Sequence, residues 1–268
     1  ITEVDETWGQ FDYILCHGVF SWVPTDVQDK ILDICHCNLV ENGVAIVSYN
    51  TYPGWHLRAV VRDIMRYHVT QFDDPRKQIG QAHAVLDFMS EYCNEQQAYG
   101  HLLKKELDHV RKTHDSYLYH EHLEPFNQPL QFYQFIERAE SHALQYLAES
   151  NFARMLTIDM PQRVQEALDG TPILRQEQYL DYLRNAGFRS TLLCHDHIEL
   201  RRDGLHERMA QYEVAWKAPL EPRDVDFASR QPVEFHVGEN KLTTAKPLVK
   251  AACVHLGRPE GFNAEVPQ

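Results

Sequence analysis

Apolar positions in the first fifty residues follow two different periods. Phe11–Cys16 is a short apolar run that ends at His17-Gly18. Val27–Leu39 spaces its apolar residues helically, with Ile31, Ile34 and Cys35 on one face and Asn42-Gly43 as a stop. Val44–Tyr49 is a second, β-branched run that ends in Asn50-Thr51-Tyr52. The pattern predicts strand, helix, strand, with polar residues delivered at the carboxyl ends of both strands. Open α/β sheets bind ligands at that edge. No strand followed by a G-x-G-x-x-G turn precedes Phe11, so the ligand-gripping first half of such a fold is expected upstream of Ile1.

Helical spacing then takes over. His56–Phe72 carries Leu57, Val60, Val61, Ile64, Met65 and Val69 as a stripe, and Asp73-Asp74-Pro75 ends it. Asp74 is a good N-cap for the next helix, with Pro75 at its first position. Arg76–Tyr92 and Glu95–Lys112 repeat the pattern, so three helices with short joints predict a small bundle or cap. Ser116–Leu123 alternates and reads as a strand or extended segment. Phe132–His142 reads as a helix and Leu144–Ala148 as a strand. A helix of about two turns is expected after Pro161. Gln176–Asn185 is a helix stopped by Gly187, and Phe188–Cys194 a final strand. After about Pro219 the chain becomes a polar, proline-containing linker. It then shows a hairpin pattern over Val233–Val237 and Lys241–Thr243, and a short helix over Pro247–Leu256.

Composition narrows the partners. The 268 residues suffice for two domains, and 43% hydrophobic content supports a core. The net charge of −13, from 39 acidic and 26 basic residues, argues against nucleic acid, whose phosphates need a basic footprint. It is compatible with a basic peptide or protein substrate. Cys16, Cys35, Cys37, Cys93, Cys194 and Cys253 are scattered without C-x-x-C spacing, as expected of free thiols in a reducing compartment. No apolar run approaches the ~20 residues that span a bilayer, and no signal peptide is visible. A cytoplasmic protein without membrane insertion is expected.

The strings HGVFSWVP and SYNTYPGWH resemble the second half of a bacterial class I S-adenosylmethionine-dependent methyltransferase domain. The run from FDDPRKQIGQ to YLYHEHLEP and ALQYLAES resembles the methyltransferase regulatory domain that accompanies it, a pairing also found in rickettsial outer-membrane-protein lysine methyltransferases. The resemblance implies an α/β fold: a partial Rossmann-like sheet with a helical cap and a small, truncated α+β segment similar to a winged helix. Residues 1–56 would be the second half of the core. Residues 57–150 would be the helical regulatory domain plus a returning helix and strand, 151–219 an insertion and the last strand, and 220–268 the linker and winged-helix-like segment. Phe11–Cys16 and Val44–Tyr49 would be the fourth and fifth sheet strands, and Leu144–Ala148 and Phe188–Cys194 an antiparallel last pair. The implied cofactor is S-adenosylmethionine and the implied acceptor a protein lysine. The glycine-rich first loop and the ribose-binding acid have no match here, so the segment alone is expected to bind cofactor poorly and to be inactive.

Candidate residues cluster at the predicted sheet edge. Cys16, His17 and Gly18 would line the cofactor side, with glycine allowing close backbone approach. Phe20, Trp22 and Trp55, with Tyr49, would form aromatic walls that exclude water and face a cation. Tyr49, Asn50 and Tyr52 are the candidates for the acceptor amine, because a lysine nucleophile must lose a proton beside a hydrogen-bonding group. Glu121 would contact a basic substrate. His120-Glu121-His122 and His195-Asp196-His197 would put histidine pairs on one side if extended, yet no further ligand completes a metal set. Rival readings are a non-catalytic regulatory or protein-interaction module and a histidine-rich metalloenzyme.

Overall fold

The computed structural model describes residues 1–202, 222, 224–237 and 240–256. Residues 1–200 form one compact unit and 201–268 a second. The predicted α/β class is what the chain adopts.

The first unit is built on a four-stranded mixed sheet. Strand β1 (Phe11–Cys16) leads through a 3-10 turn at Phe20–Trp22 into α1 (Thr25–Cys37), then β2 (Leu39–Asn50). β1 and β2 are parallel, the pairing a crossover helix permits. Helix α6 (Phe132–Glu140) precedes β3 (Leu144–Glu149), and α7 (Gln162–Leu168) and α8 (Ile173–Arg184) precede β4 (Phe188–His195). The sheet order is β1-β2-β4-β3, and β4 runs antiparallel to both neighbours.

α1 and α6 cover one sheet face. Ile31, Leu32 and Cys35 of α1 and Phe132, Phe135, Ile136 and Ala139 of α6 pack on Ala45, Val47 and Tyr49 of β2. Arg138 clamps the two helices, with its guanidinium donating to the Asp29 carboxylate at 2.7 Å and to the Thr25 carbonyl at 2.7 Å. On β1, Tyr13 and Leu15 are 69% and 68% exposed. Parallel pairs are usually covered on both faces, so this edge departs from the norm.

Helices α2 (Gly54–Val69), α3 (Pro75–Tyr92) and α4 (Ala98–Val110) form the predicted cap. Its core is separate and aliphatic: Val61, Met65, Ala82, Leu86, Leu103, Leu107 and Val110. Asp74 caps α3 as expected, accepting from the Arg76 N–H at 2.9 Å. The second unit contains the expected hairpin, β5 (Val233–Val237) with β6 (Asn240–Thr244), and α9 (Pro247–Leu256). Most of the predicted linker and the final GRPEGFNAEVPQ lie outside the described residues.

Several local expectations are corrected. Ser116–Leu123 is not extended: α5 (Asp115–Leu118) runs into a π-type turn over Tyr119–Leu123. Leu118, Glu121, His122 and Leu123 turn inward, a helical spacing that the polar–apolar alternation hid. α1 stops at Cys37 rather than at Asn42-Gly43. Those two residues lie instead in a bulge of β2, between the pairs Phe11↔Leu39 and Tyr13↔Val44. α8 is closed by Asn185 in the left-handed region, φ +49°, and not by Gly187.

Candidate functional site

The carboxyl ends of β1 and β2 open into a cleft of about 730 Å³, roofed by α4 and the π-type turn. Its floor is stitched by two buried serines. The Gly18 N–H donates to Ser48 Oγ at 2.8 Å, and the Asn50 N–H to Ser21 Oγ at 2.8 Å. Gly18 has φ +70°, a backbone state that suits glycine. These contacts hold the 17–22 loop against β2 and aim His17, Gly18 and Trp22 at the cleft. Asn50 is buried at the floor, and its Nδ2 has no hydrogen-bond partner in the protein. A buried amide donor without a partner costs free energy of about 1–3 kcal/mol.

One wall is the turn at 185–187, which the antiparallel β4 brings to this edge. The Gly54 N–H donates to the Ala186 carbonyl at 2.8 Å and the Thr51 N–H to the Gly187 carbonyl at 3.0 Å. A Cβ on Gly54 would lie 2.5 Å from the Asn185 carbonyl oxygen, so only glycine lets α2 start this close. Phe188 stands edge-on to His17, with ring centroids 5.9 Å apart. Arg154 and Arg184 flank this wall and are tied down, donating to the carbonyls of Phe188 and Leu156.

The opposite wall is aromatic and cationic. Trp22 and Trp55 meet edge to face at 6.2 Å, and His120 lies over Trp22 at 4.4 Å. Arg62 sits 5.7 Å from the Trp22 ring centroid and Arg58 5.2 Å from that of Trp55. Arg62 donates to the main-chain carbonyls of Glu121, at 3.0 Å, and Glu124. Burial lowers its pKa to about 10, which leaves it charged at neutral pH. Arg58 reaches the Glu121 carboxylate at 3.4 Å. His122 is pushed down to about 3, first by burial and then by Arg58 and Arg62, so it is neutral.

The cleft gathers His17, Gly18, Trp22, Asn50, Trp55 and Glu121 from the predicted set. The other predicted residues lie elsewhere, and their expected ligand contacts are corrected. Phe20 and Tyr49 are core residues: Tyr49 stacks on Phe135 at 4.0 Å, and Phe20 meets Phe135 edge-on at 5.3 Å. The Tyr49 hydroxyl is spent on Thr191 at 3.2 Å, and burial pushes its pKa up. Tyr49 lies on the α1/α6 side of β2 with Ala45 and Val47, as the two-residue period requires. Cys16 packs against the same core, its thiol pushed up to about 11 by burial. Tyr52 stacks on His56 at 4.0 Å, outside the cleft lining.

Sequence reasoning missed Arg58, Lys105, Glu106 and the 185–187 turn. It looked at strand carboxyl ends, whereas β4 is antiparallel and brings its amino end to the site. The i, i+2 premise for a histidine metal pair at His120 and His122 fails because that segment is helical. Among the described residues no group of three or more His, Cys, Asp or Glu side chains could hold a metal ion. No helix among them is long and apolar enough to cross a membrane.

Residues 114–195 match the family described as a predicted methyltransferase regulatory domain. The match begins after α4 and takes in the π-type turn, β3 and β4. The uncharacterized protein RP789 of Rickettsia prowazekii is 38% identical over 260 residues, covering 94% of this chain and 47% of that protein. RP028 of the same organism is 38% identical over 148 residues, covering 55% of this chain and 59% of that protein. Among solved structures, PKMT2 from Rickettsia typhi in complex with AdoHcy is 33% identical with a TM-score of 0.77 over 93% of this chain and 49% of that one. The chain thus spans about half the length of the rickettsial relatives it matches. The resemblance carried by HGVFSWVP and SYNTYPGWH is borne out as a likeness: residues 114–195 match the methyltransferase regulatory domain family, and the chain shares the fold of the rickettsial methyltransferase PKMT2.

Proposed function

We propose that this chain supplies the acceptor side of an S-adenosylmethionine-dependent protein methyltransferase, with lysine as the methyl acceptor. One observation carries the reading. The buried Asn50 amide, lacking any protein partner, faces a cleft with tryptophan walls at the carboxyl edge of a methyltransferase-like sheet. An amine entering the cleft would hydrogen-bond Asn50 and lose its hydration between Trp22 and Trp55, which favours the neutral nucleophile. The cap would govern entry, because Glu121 and α4 form the roof.

The cofactor fits one side of the cleft only. His17 and the positive-φ turn at Gly18 would hold it, and open space surrounds the Gly18 Cα. When bound, S-adenosylmethionine supplies an activated methyl group on a sulfonium. No glycine-rich phosphate-type loop or ribose-binding acid lies among the residues that line the cleft. Tyr13 and Leu15, two residues apart on β1, leave one face of the parallel pair bare, which fits a further layer packed against it. Weak cofactor affinity of the chain by itself follows. The free cysteines fit a cytoplasmic setting.

Calorimetry with S-adenosylhomocysteine tests this reading. Saturable heat is expected from the chain, and its loss in Gly18→Val, whose β-branched side chain is strained at φ +70°. Equal heats from both proteins would contradict it. Absence of heat at millimolar ligand would favour the second reading, a non-catalytic regulatory module, which the regulatory-domain match supports.

A further inference from the structure

The two arginines at the aromatic wall are held in opposite ways. Arg62 is buried and grips main-chain carbonyls that no substrate can replace. Arg58 is 32% exposed, lines the cleft, and touches only side chains there: the Trp55 face, the Glu121 carboxylate and the Tyr117 hydroxyl. Its 3.4 Å contact with Glu121 is at the long limit for a hydrogen bond. The Glu121 carboxylate is 11% exposed, so it needs a cation close by. Any compact cation that reaches Trp55 and Glu121 could replace the guanidinium without loss.

We propose that Arg58 is a built-in stand-in for the acceptor's cation, holding the place over Trp55 and beside Glu121 that a substrate alkylammonium takes on entry. This rests on the reading of the cleft as a methyl-acceptor site. The displaced Arg58 has somewhere to go. A second cavity of about 770 Å³ on the cap shares Arg58, Lys105 and Glu106 with the cleft. There the buried Oε2 of Glu106 has no hydrogen-bond partner and can receive the guanidinium. Exchange of one cation for another keeps Glu121 neutralised on entry, and the docked alkylammonium can then pass a proton to the Glu121 carboxylate and meet Asn50 as the neutral amine. A neutral side chain of the same length leaves the Glu121 carboxylate with the Tyr117 hydroxyl but no paired cation if Arg58 moves, and finds the place filled if it does not. The arrangement therefore selects a cationic acceptor such as lysine.

The test reads the indole N–H resonances of Trp22 and Trp55 by NMR in the whole chain. The probes are Nα-acetyl-lysine methylamide and its neutral isostere, Nα-acetyl-norleucine methylamide. The lysine probe is expected to shift both indoles saturably and to bind at least about tenfold more tightly than the isostere, the effect of losing a charged partner. Arg58→Met and Arg58→Gln are each expected to tighten lysine-probe binding several-fold, because the competing cation is gone. Glu121→Gln is expected to abolish the preference. Equal binding of the two probes, or weaker lysine-probe binding in both Arg58 variants, would overturn the proposal. S-adenosylhomocysteine, titrated into the same samples and read at the Gly18 amide, separates this from the cofactor reading. A Gly18 response without lysine selectivity sinks the stand-in alone. Lysine selectivity without a Gly18 response supports the cation subsite and counts against the methyltransferase reading.

Discussion

Two arginines in this molecule lie over aromatic rings beside carboxylates, and they behave differently. Arg189 sits 4.0 Å from the Phe132 ring centroid and pairs with Glu149, Glu177 and Asp181 at 3.2, 2.5 and 2.9 Å. All four side chains are 5% exposed or less. Arg58 has one carboxylate, at 3.4 Å, and is open to solvent. The same three groups build a fixed strut under β4 in one place and a replaceable contact at the cleft in the other. Desolvation and the number of anions make the difference. A guanidinium shut away from water with three carboxylates has no alternative partner, whereas one at a cleft mouth exchanges with solvent or ligand.

The largest expected effect lies at the strut. Arg189→Met leaves buried carboxylates unpaired and should cost about 3–5 kcal/mol of stability, read as a fall in the urea midpoint. A loss within 1 kcal/mol would erase the contrast. The floor of the cleft comes next. If the cleft is the proposed methyl-acceptor site, Asn50→Ala is expected to lower the kcat/KM of methyl transfer by about 100-fold, as removal of a positioned hydrogen-bonding group does, while Tyr52→Phe changes it less than about twofold. The reverse order would move the chemistry to Tyr52.

The pH dependence sharpens the comparison. Burial raises the pKa values of Glu149 and Asp181 above their unfolded values, even with Arg189 lowering both. Folded protein therefore binds more protons than unfolded protein between the unfolded and folded values. The penalty for ionising them is absent below the unfolded range near pH 4 and complete above the folded values. Their contribution makes the fold gain stability as pH falls from neutrality toward that range. Asp29 has the opposite sign: its hydrogen bond with Arg138 lowers its pKa, so its contribution is lost as pH falls. Denaturation midpoints of wild type and of Glu149→Gln/Asp181→Asn between pH 7 and pH 5 should show a smaller acid-side gain in the variant. The smallest effect belongs to the cleft mouth, where Arg58→Met leaves one mostly buried carboxylate without its cation and should cost about 1–2 kcal/mol, well below the loss at Arg189.

Much of the fold was legible in the sequence, but neither arginine of this contrast was. The strand–helix–strand of the core, the three cap helices and the Asp74-Pro75 start were readable because each depends on local period and capping. HGVFSWVP and SYNTYPGWH located the cleft floor. What failed was information held between distant segments. Period alone could not show that Tyr49 faces α6 while Asn50 ends at the cleft. The Arg189 strut joins β4 to β3 and α8, and no spacing announces it. The π-type turn hid behind an alternating string, and Arg58 passed as an ordinary polar residue of α2 because its partners come from the cap.

The most direct test of the account is an NMR titration of the isotope-labelled chain with S-adenosylhomocysteine, in which even millimolar affinity is measurable. Saturable shifts of the Gly18 and Asn50 amides and of the Trp22 indole are expected, with the residues around Arg189 silent. Saturable binding that leaves Gly18 and Asn50 unmoved, or that maps to another surface, would contradict it.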